Sequence, residues 1–150
     1  MNAKRLLVHW EEVRQGLFQA LDKIHDNQLH FVPRDGLRSL SEVALHIADT
    51  ENGWFGYVIK REYHKWPHDY TLEKYPAVTS IRSLLTEVHV KTEAYLESLQ
   101  EADLERTVET PWGSRLSMNW IIWHVVEHEI HHRGEIFLML GLLGIEAPDI

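Results

Sequence analysis

The strongest constraint on the fold is the spacing of apolar residues, which recur every three or four positions in four separate segments. This period matches the turn of an α-helix and places the apolar side chains on one face. The pattern predicts helices over about 3–24, 39–58, 79–100 and 117–140. Little of the chain alternates with the period of two that is typical of strands. We therefore predict an all-α four-helix bundle that forms a single domain over residues 1–150.

Local signals at the helix ends agree with this division. Ser39 is followed three positions later by Glu42, the pattern of a capping box, and Ser117 is a favourable N-cap for the last helix. The connections over 63–78 and 101–116 are of medium length. They leave the order of the helices around the bundle open.

Composition excludes several classes of function. The chain has no cysteine, so disulfides, thiolate metal ligands and a cysteine nucleophile are excluded, and thiol chemistry would need an external thiol. The net charge of −8 argues against nucleic acid as a partner. No apolar run approaches the roughly 20 residues of a membrane span, and the N-terminus lacks a signal-peptide pattern. We expect a cytoplasmic protein that acts on a small molecule, with no membrane partner.

Histidines recur every four residues in the last predicted helix, at His124, His128 and His132. Residues four apart rise by about 6 Å and can share one ion, whereas residues eight apart rise by about 12 Å and cannot easily do so. The ligand pair is therefore His124 with His128 or His128 with His132. A third ligand must come from another helix. His46 is the best candidate because it interrupts the apolar row of the second helix.

Three histidine ligands leave a divalent ion with its full charge and an open position, which is typical of a catalytic site. The second ring nitrogen of each histidine usually donates to an oxygen acceptor. Carboxylates that could accept these hydrogen bonds lie near the histidines in the sequence, at Asp49, Glu51, Glu127, Glu129 and Glu135. Imidazole suits several metals, so zinc is the first expectation, with nickel, iron or manganese as alternatives.

The chain resembles the DinB-like superfamily of metal-dependent enzymes in two motifs, Leu40-Ser41-x4-His46-Ile47-x3-Glu51 and Trp120-x3-His124-x3-His128-x2-His131-His132-Arg133-Gly134-Glu135. The resemblance covers nearly the whole chain and implies a four-helix bundle, commonly dimeric, with a three-histidine metal site. It implies that His46, His128 and His132 hold the ion, which would resolve the choice of pair. Some members of the superfamily are bacterial transferases that use low-molecular-weight thiols such as mycothiol or bacillithiol. Glu135 stands where members often have glutamine.

The leading functional hypothesis is therefore a metal-dependent enzyme that transfers an external low-molecular-weight thiol to an electrophilic small molecule. The ion would lower the pKa of the thiol. His124, Glu51 and Arg133 are the predicted pocket residues that would position the substrate. One alternative is hydrolysis by water that the ion activates. Another is a non-catalytic, stress-linked protein that holds a structural metal or binds a small molecule.

The last helix also carries apolar residues at Val126, Ile130 and Phe137, roughly opposite the histidines. A helix that is apolar on two sides is either buried all round or meets a partner, so we expect a homodimer. The same periodicity predicts the positions of the other aromatic and histidine side chains. It predicts core positions for Trp10, Trp54, Trp120 and Trp123, a pocket rim for Trp66 and Trp112, and surface positions for His9, His25, His30, His64, His68 and His89.

Overall fold

The structure, a computed structural model, describes residues 3–150, with side chains from Leu6 onward. Four helices form the predicted bundle, which is confirmed. A π-helical segment continues the second helix, two short 3-10 helices lie in the connections, and two short strands pair antiparallel. The elements are α1 (Ala3–Leu21), α2 (Leu40–Asn52), the π-helical segment (Gly53–Ile59), α3 (Val78–Glu97), α4 (Met118–Leu142), the 3-10 helices (Asp26–Gln28 and Glu101–Glu105), β1 (Thr107–Glu109) and β2 (Arg115–Ser117).

The helices follow one another around the bundle in the order α1, α3, α2, α4. Helix α2 packs against α3 and α4, and α1 packs against the same two helices from the other side. Two of the three pairs of consecutive helices, α1 with α2 and α3 with α4, therefore lie diagonally, whereas α2 and α3 are neighbours. The connections over 22–39 and 98–117 are long enough to permit this arrangement. Within residues 3–150, no helix is both long and apolar enough to cross a bilayer.

The starts of α2 and α4 follow the predicted capping patterns. The Ser39 hydroxyl accepts a hydrogen bond from the Glu42 N–H at 3.2 Å, and the Glu42 carboxylate accepts one from the Ser39 N–H at 2.6 Å. The Ser117 hydroxyl accepts from the Trp120 N–H at 3.1 Å. These bonds satisfy N–H groups that have no partner inside the helix. The capping box thus fixes the start of the helix that carries His46.

The structure differs from the sequence prediction at the end of α1 and in the segment over 101–116. Helix α1 ends at Leu21 rather than near 24, because the N–H groups of Lys23 and Ile24 bond to carbonyls three residues back and tighten the chain into a turn. The segment over 101–116 is not a plain connection. It holds a 3-10 helix and a β-hairpin, whose turn includes Gly113 at φ 88°, a conformation that favours glycine.

The core consists of two hydrophobic clusters stacked along the bundle. One includes Leu17, Ile47 and Ile136, and the other includes Trp10 and Val126. The predicted burial of Trp10 and Trp54 is confirmed. The prediction for Trp120 is wrong: its side chain is 46% exposed and stacks on the His124 ring in the first turns of α4. Trp123 is half-buried.

A buried charged network joins all four helices between the two clusters. Arg14 on α1 donates to the carboxylates of Glu51 on α2 and Glu129 on α4, each at 2.7 Å. His89 on α3 lies 2.8 Å from the other oxygen of Glu51, and Trp10 donates to Glu129 at 2.6 Å. His89 was expected on the surface. That prediction is wrong because Glu51 draws the imidazole inward, and only 7% of His89 is exposed.

Arg14 and Glu51 are held in their charged forms. Burial works against the Arg14 charge, but Glu129 and Glu51 together raise the pKa of its guanidinium. Burial likewise works to raise the pKa of Glu51, yet Arg14 and His89 hold that pKa below its usual value. The four helices are therefore locked together by opposite charges that water does not reach.

The apolar residues that suggested a homodimer contact their own chain. Val126 is fully buried in the second cluster, Ile130 packs at its edge, and Phe137 packs against the first cluster. The second apolar side of α4 is thus covered within the bundle. The homodimer stays a prediction.

The loop over 60–77 is fastened to the end of α2. The Trp66 ring occupies the space that a Cβ at Gly53 would need, and Tyr63 lies equally close to Gly56. Asn52 donates to the Tyr70 hydroxyl at 3.0 Å and accepts from the Tyr63 hydroxyl at 3.1 Å. Glycine in the π-helical segment therefore permits the loop to lie against the helix that carries His46.

Candidate metal centre

Three imidazoles from two helices converge between α2 and α4. One ring nitrogen each of His46, His128 and His132 lies within 4.8 Å of the others. The Nε2 atoms of His46 and His128 are 3.0 Å apart. The structure thus brings together the three residues that the family resemblance implied as ligands.

The triad follows directly from helix geometry. His128 and His132 are one turn apart on α4, and their ring centroids are 4.3 Å apart. The His46 ring lies across from both, with centroid distances of 4.7 Å and 4.9 Å. In a tetrahedral site with bonds of about 2.0–2.1 Å, ligand nitrogens are about 3.3 Å apart. Small side-chain rotations bring the three rings to that spacing, so the residues fit a single divalent ion.

Burial keeps two of these imidazoles neutral. Partial burial is the main cause that lowers the pKa of His46 to about 4, and the charges of Arg38 and His132 are smaller causes. Partial burial is also the main cause that lowers the pKa of His128 to about 3, and charge repulsion from the neighbouring histidines is a smaller cause. A neutral imidazole has a free lone pair on one nitrogen, which is the form that binds a metal. The site is therefore ready to accept a cation at neutral pH.

A neighbouring carboxylate orients the His132 ring, and a hydroxyl lies against the His128 nitrogen that faces His46. His132 Nδ1 lies 2.6 Å from a carboxylate oxygen of Glu135, which leaves Nε2 of the same ring for an ion. The Thr50 hydroxyl lies 3.3 Å from His128 Nε2. Glu135 and His132 also form a second group with His131, all three on α4 and more exposed. The described residues therefore offer two candidate ion positions that share His132.

The predicted pocket residues lie outside the triad. Glu51 belongs to the buried charged network, and Arg133 points towards α1, where it donates to the Val13 carbonyl at 3.4 Å. His124 is one turn before His128, but its ring is stacked on Trp120 with centroids 4.8 Å apart. None of these three residues lines the cavity beside His46.

A cavity of about 200 Å³ opens beside His46. This volume is below the usual range of about 300–1,000 Å³ for ligand sites, so it fits a small molecule. Sequence reasoning missed several of its residues, because they come from a loop and from the segment before α2. The lining residues are Arg38, Glu42, Leu45, His46, Asp49, His68 and Tyr70.

The lowered pKa values of His46 and His128 predict how metal-free protein responds to acid. Between the folded values, about 4 and about 3, and the unfolded value near 6.5, the unfolded chain binds more protons than the folded one. Stability is therefore full above about pH 6.5 and falls as pH falls through that window. We expect the free energy of unfolding in urea, with a chelator present, to decrease from pH 7 to pH 5.

His128→Gln should make this pH dependence shallower, because one titrating group is removed. Glu51, whose pKa is also lowered, contributes only below its ordinary value of 4.5 and so does not affect the measured range from pH 7 to pH 5. An unfolding free energy that is constant or rises from pH 7 to pH 5 would contradict the neutral state of these two half-buried histidines.

Comparison with known proteins places the chain among relatives of the same architecture. The model of the DinB family matches residues 1–150. The uncharacterized protein YjoA of Bacillus subtilis (strain 168) is 26% identical over 144 residues, which cover 95% of this chain and 91% of YjoA. The solved structure of a DinB-like protein from Bacillus cereus ATCC 10987 superposes with a TM-score of 0.79 at 20% identity, covering 97% of this chain and 95% of that one.

A second solved structure, YfiT from Bacillus subtilis, has a TM-score of 0.76 at 22% identity, with 96% of this chain and 89% of YfiT covered. YfiT is described as a probable metal-dependent hydrolase with an unusual four-helix bundle topology. At such identities, the structural matches show that the fold is shared.

Proposed function

The chain belongs to the DinB family, and we propose that it is a metal-dependent enzyme that hydrolyses a small molecule beside one divalent ion. The observation that carries the proposal is the convergence of His46, His128 and His132 from two helices. Three ligands leave a coordination position open, whereas structural zinc sites are closed by four protein ligands. Among the described side chains, no fourth histidine or carboxylate joins this group.

Different residues of the chain would have different roles at such a site. When bound, a divalent ion supplies positive charge that lowers the pKa of a water molecule or a thiol. Glu135 fixes the orientation of the His132 ring. Arg38 places a guanidinium on the cavity wall, where it can pair with a carboxylate of a substrate. The small cavity favours a small substrate, and its lining holds the carboxylates of Glu42 and Asp49 as well as the Arg38 guanidinium.

Thiol transfer, which is the leading hypothesis of the sequence analysis, is the second candidate reaction. Arg38 supports it for thiols that carry a carboxylate, such as free cysteine, because this guanidinium could bind that group. The same metal site serves both reactions, since the ion lowers the pKa of either nucleophile. The two reactions differ in whether an external thiol is required.

The proposal is tested on protein stripped with a chelator and reloaded separately with zinc, nickel, iron or manganese. We expect one ion per chain by mass spectrometry, and hydrolysis of 4-nitrophenyl acetate that stops when EDTA removes the ion. Metal-dependent conjugation of cysteine to 1-chloro-2,4-dinitrobenzene, faster than in the same mixture without protein, would instead favour thiol transfer. Failure to bind any of the four metals, or hydrolysis that persists unchanged in EDTA, would refute the metal-dependent function.

A further inference from the structure

A carboxylate and an imidazole meet on the wall of the cavity beside His46. His68 Nδ1 lies 3.4 Å from an oxygen of Asp49, a residue of α2 that is only 7% exposed. The same Asp49 oxygen accepts a hydrogen bond from the Trp66 indole at 2.8 Å. Asp49 is thus held by a neighbour and faces a histidine whose side chain is 77% exposed. This pair combines a fixed carboxylate with an accessible ring.

The loop around His68 is anchored on both sides. Two residues earlier, the Trp66 ring sits directly on Gly53, where no side chain larger than hydrogen fits. Two residues later, the Tyr70 hydroxyl accepts a hydrogen bond from Asn52 at 3.0 Å. His68 itself has φ 41°, a left-handed conformation that non-glycine residues rarely adopt. Strained positions of this kind persist where the surroundings hold them, and they cluster at functional sites.

His68 and the candidate ligand His46 line the same small cavity. The other oxygen of Asp49 is buried and has no hydrogen-bond partner among the described residues. A buried acceptor without a partner is uncommon and is often completed by a water or ligand. The charged or titratable groups that face His68 come from α2, from the segment before it and from the loop itself. They are Arg38, Glu42, His46, Asp49 and Tyr70.

We propose that His68, oriented by Asp49, is the catalytic residue that transfers a proton in the reaction proposed above, on which this inference rests. At 3.4 Å this contact is longer than a usual hydrogen bond, as is common before substrate binds; when it shortens, the carboxylate would hold the N–H on Nδ1 and leave Nε2 free to accept a proton. Asp49 is the positioning residue. The arrangement gives the site a general base on the loop, which the metal ligands themselves do not supply.

The proton balance for an ester is simple. As the oxygen of a water molecule bonds to the carbonyl carbon, one proton of that water moves to His68 Nε2. When the bond between the carbonyl carbon and the leaving oxygen breaks, the same proton passes to that oxygen. The products are an acid and an alcohol, and His68 returns to its starting form.

The central experiment compares His68→Gln with the control variant His64→Gln in zinc-loaded protein. His64 is on the same loop but does not line this cavity. For 4-nitrophenyl acetate we expect His68→Gln to lower kcat about 100-fold, the usual contribution of a general base. The KM and the zinc content should remain unchanged. Free imidazole should restore activity to His68→Gly beyond the cleavage that imidazole causes without protein, and His64→Gln should match the wild type.

A second readout does not depend on turnover. Nitrogen-15 NMR of the neutral His68 ring should show the proton on Nδ1 in the wild type. In Asp49→Asn the proton should move largely to Nε2, because the carboxylate that holds it is gone. The control His64 ring should keep the same tautomer in both proteins.

The outcomes separate the two proposals. If wild type loaded with zinc, nickel, iron or manganese does not hydrolyse 4-nitrophenyl acetate, the hydrolytic function fails whatever His68 does. If wild type is active and His68→Gln retains its kcat within about twofold, the role of His68 is refuted and the hydrolytic function stands. A His68 tautomer that is the same in wild type and Asp49→Asn would likewise overturn the pairing with Asp49.

Discussion

His128→Ala is expected to abolish stoichiometric metal binding. His128 is central to the triad, since its Nε2 lies 3.0 Å from His46 and its ring centroid lies 4.3 Å from that of His132. Without it, the site has one ligand from each helix. Loss of a partner that merely orients a ligand costs about 10–100-fold in affinity, so loss of a ligand should cost more than about 100-fold. Calorimetric titration with zinc measures the affinity, and mass spectrometry measures the stoichiometry.

His131→Ala is the matched control. His131 is on the same helix and belongs to the alternative group with His132 and Glu135, but it has no part in the triad. We expect His131→Ala to bind one zinc ion with wild-type affinity. The opposite pattern, in which His131→Ala loses the ion and His128→Ala keeps it, would move the site to the single-helix group.

The largest effect on stability is expected from Arg14→Ala. The substitution leaves two buried carboxylates, Glu51 and Glu129, with no cation between them. Breaking a buried ion pair by removing one partner costs about 3–5 kcal/mol. We therefore expect the free energy of unfolding in urea to fall by about that amount. Such a loss is a large fraction of the stability of a typical domain.

Lys91→Ala provides the comparison, because Lys91 forms an exposed ion pair with Glu87 at 2.9 Å. Exposed pairs contribute about 0–1 kcal/mol, so this variant should unfold almost as the wild type does. The combination of Arg14→Met, Glu51→Gln and Glu129→Gln should recover much of the loss, since no charge is then left buried. Arg14→Ala that unfolds within about 1 kcal/mol of wild type would contradict a stabilising role for the network.

The charged network also bears on the metal centre. Glu51 is five residues after His46 on α2, and Glu129 directly follows His128 on α4. Arg14 binds both carboxylates, so it fixes α2 and α4 relative to each other. The network thus sets the distance across which the candidate ligands face one another.

The parts of this fold that sequence could predict are those governed by local periodicity. Apolar spacing predicts the four helices, because a helix places residues three and four apart on one face regardless of its partners. The same geometry limits the ligand pair on α4 to two choices. Sequence alone could not choose between His124 and His132, since the outcome depends on where His46 lies on another helix. The stacking of Trp120 on His124 is equally a product of tertiary packing.

The parts that escaped prediction rest on contacts between distant residues. Arg14 gave a signal that could have been used, because it falls inside the apolar stripe between Val13 and Leu17. Charged residues are seldom fully buried, so nothing in the sequence predicted the burial of Glu51, Glu129 and His89. The pairing of Asp49 with His68 depends on how the loop folds back onto α2, which no local pattern encodes.

Anomalous diffraction at the zinc absorption edge, recorded from crystals of the zinc-loaded protein, tests most directly whether two helices hold one ion together. We predict a single peak per chain, about 2.0–2.1 Å from a ring nitrogen of each of His46, His128 and His132. A peak bound instead by His131 and Glu135, or the lack of any peak between α2 and α4, would show that these helices do not form a shared metal site.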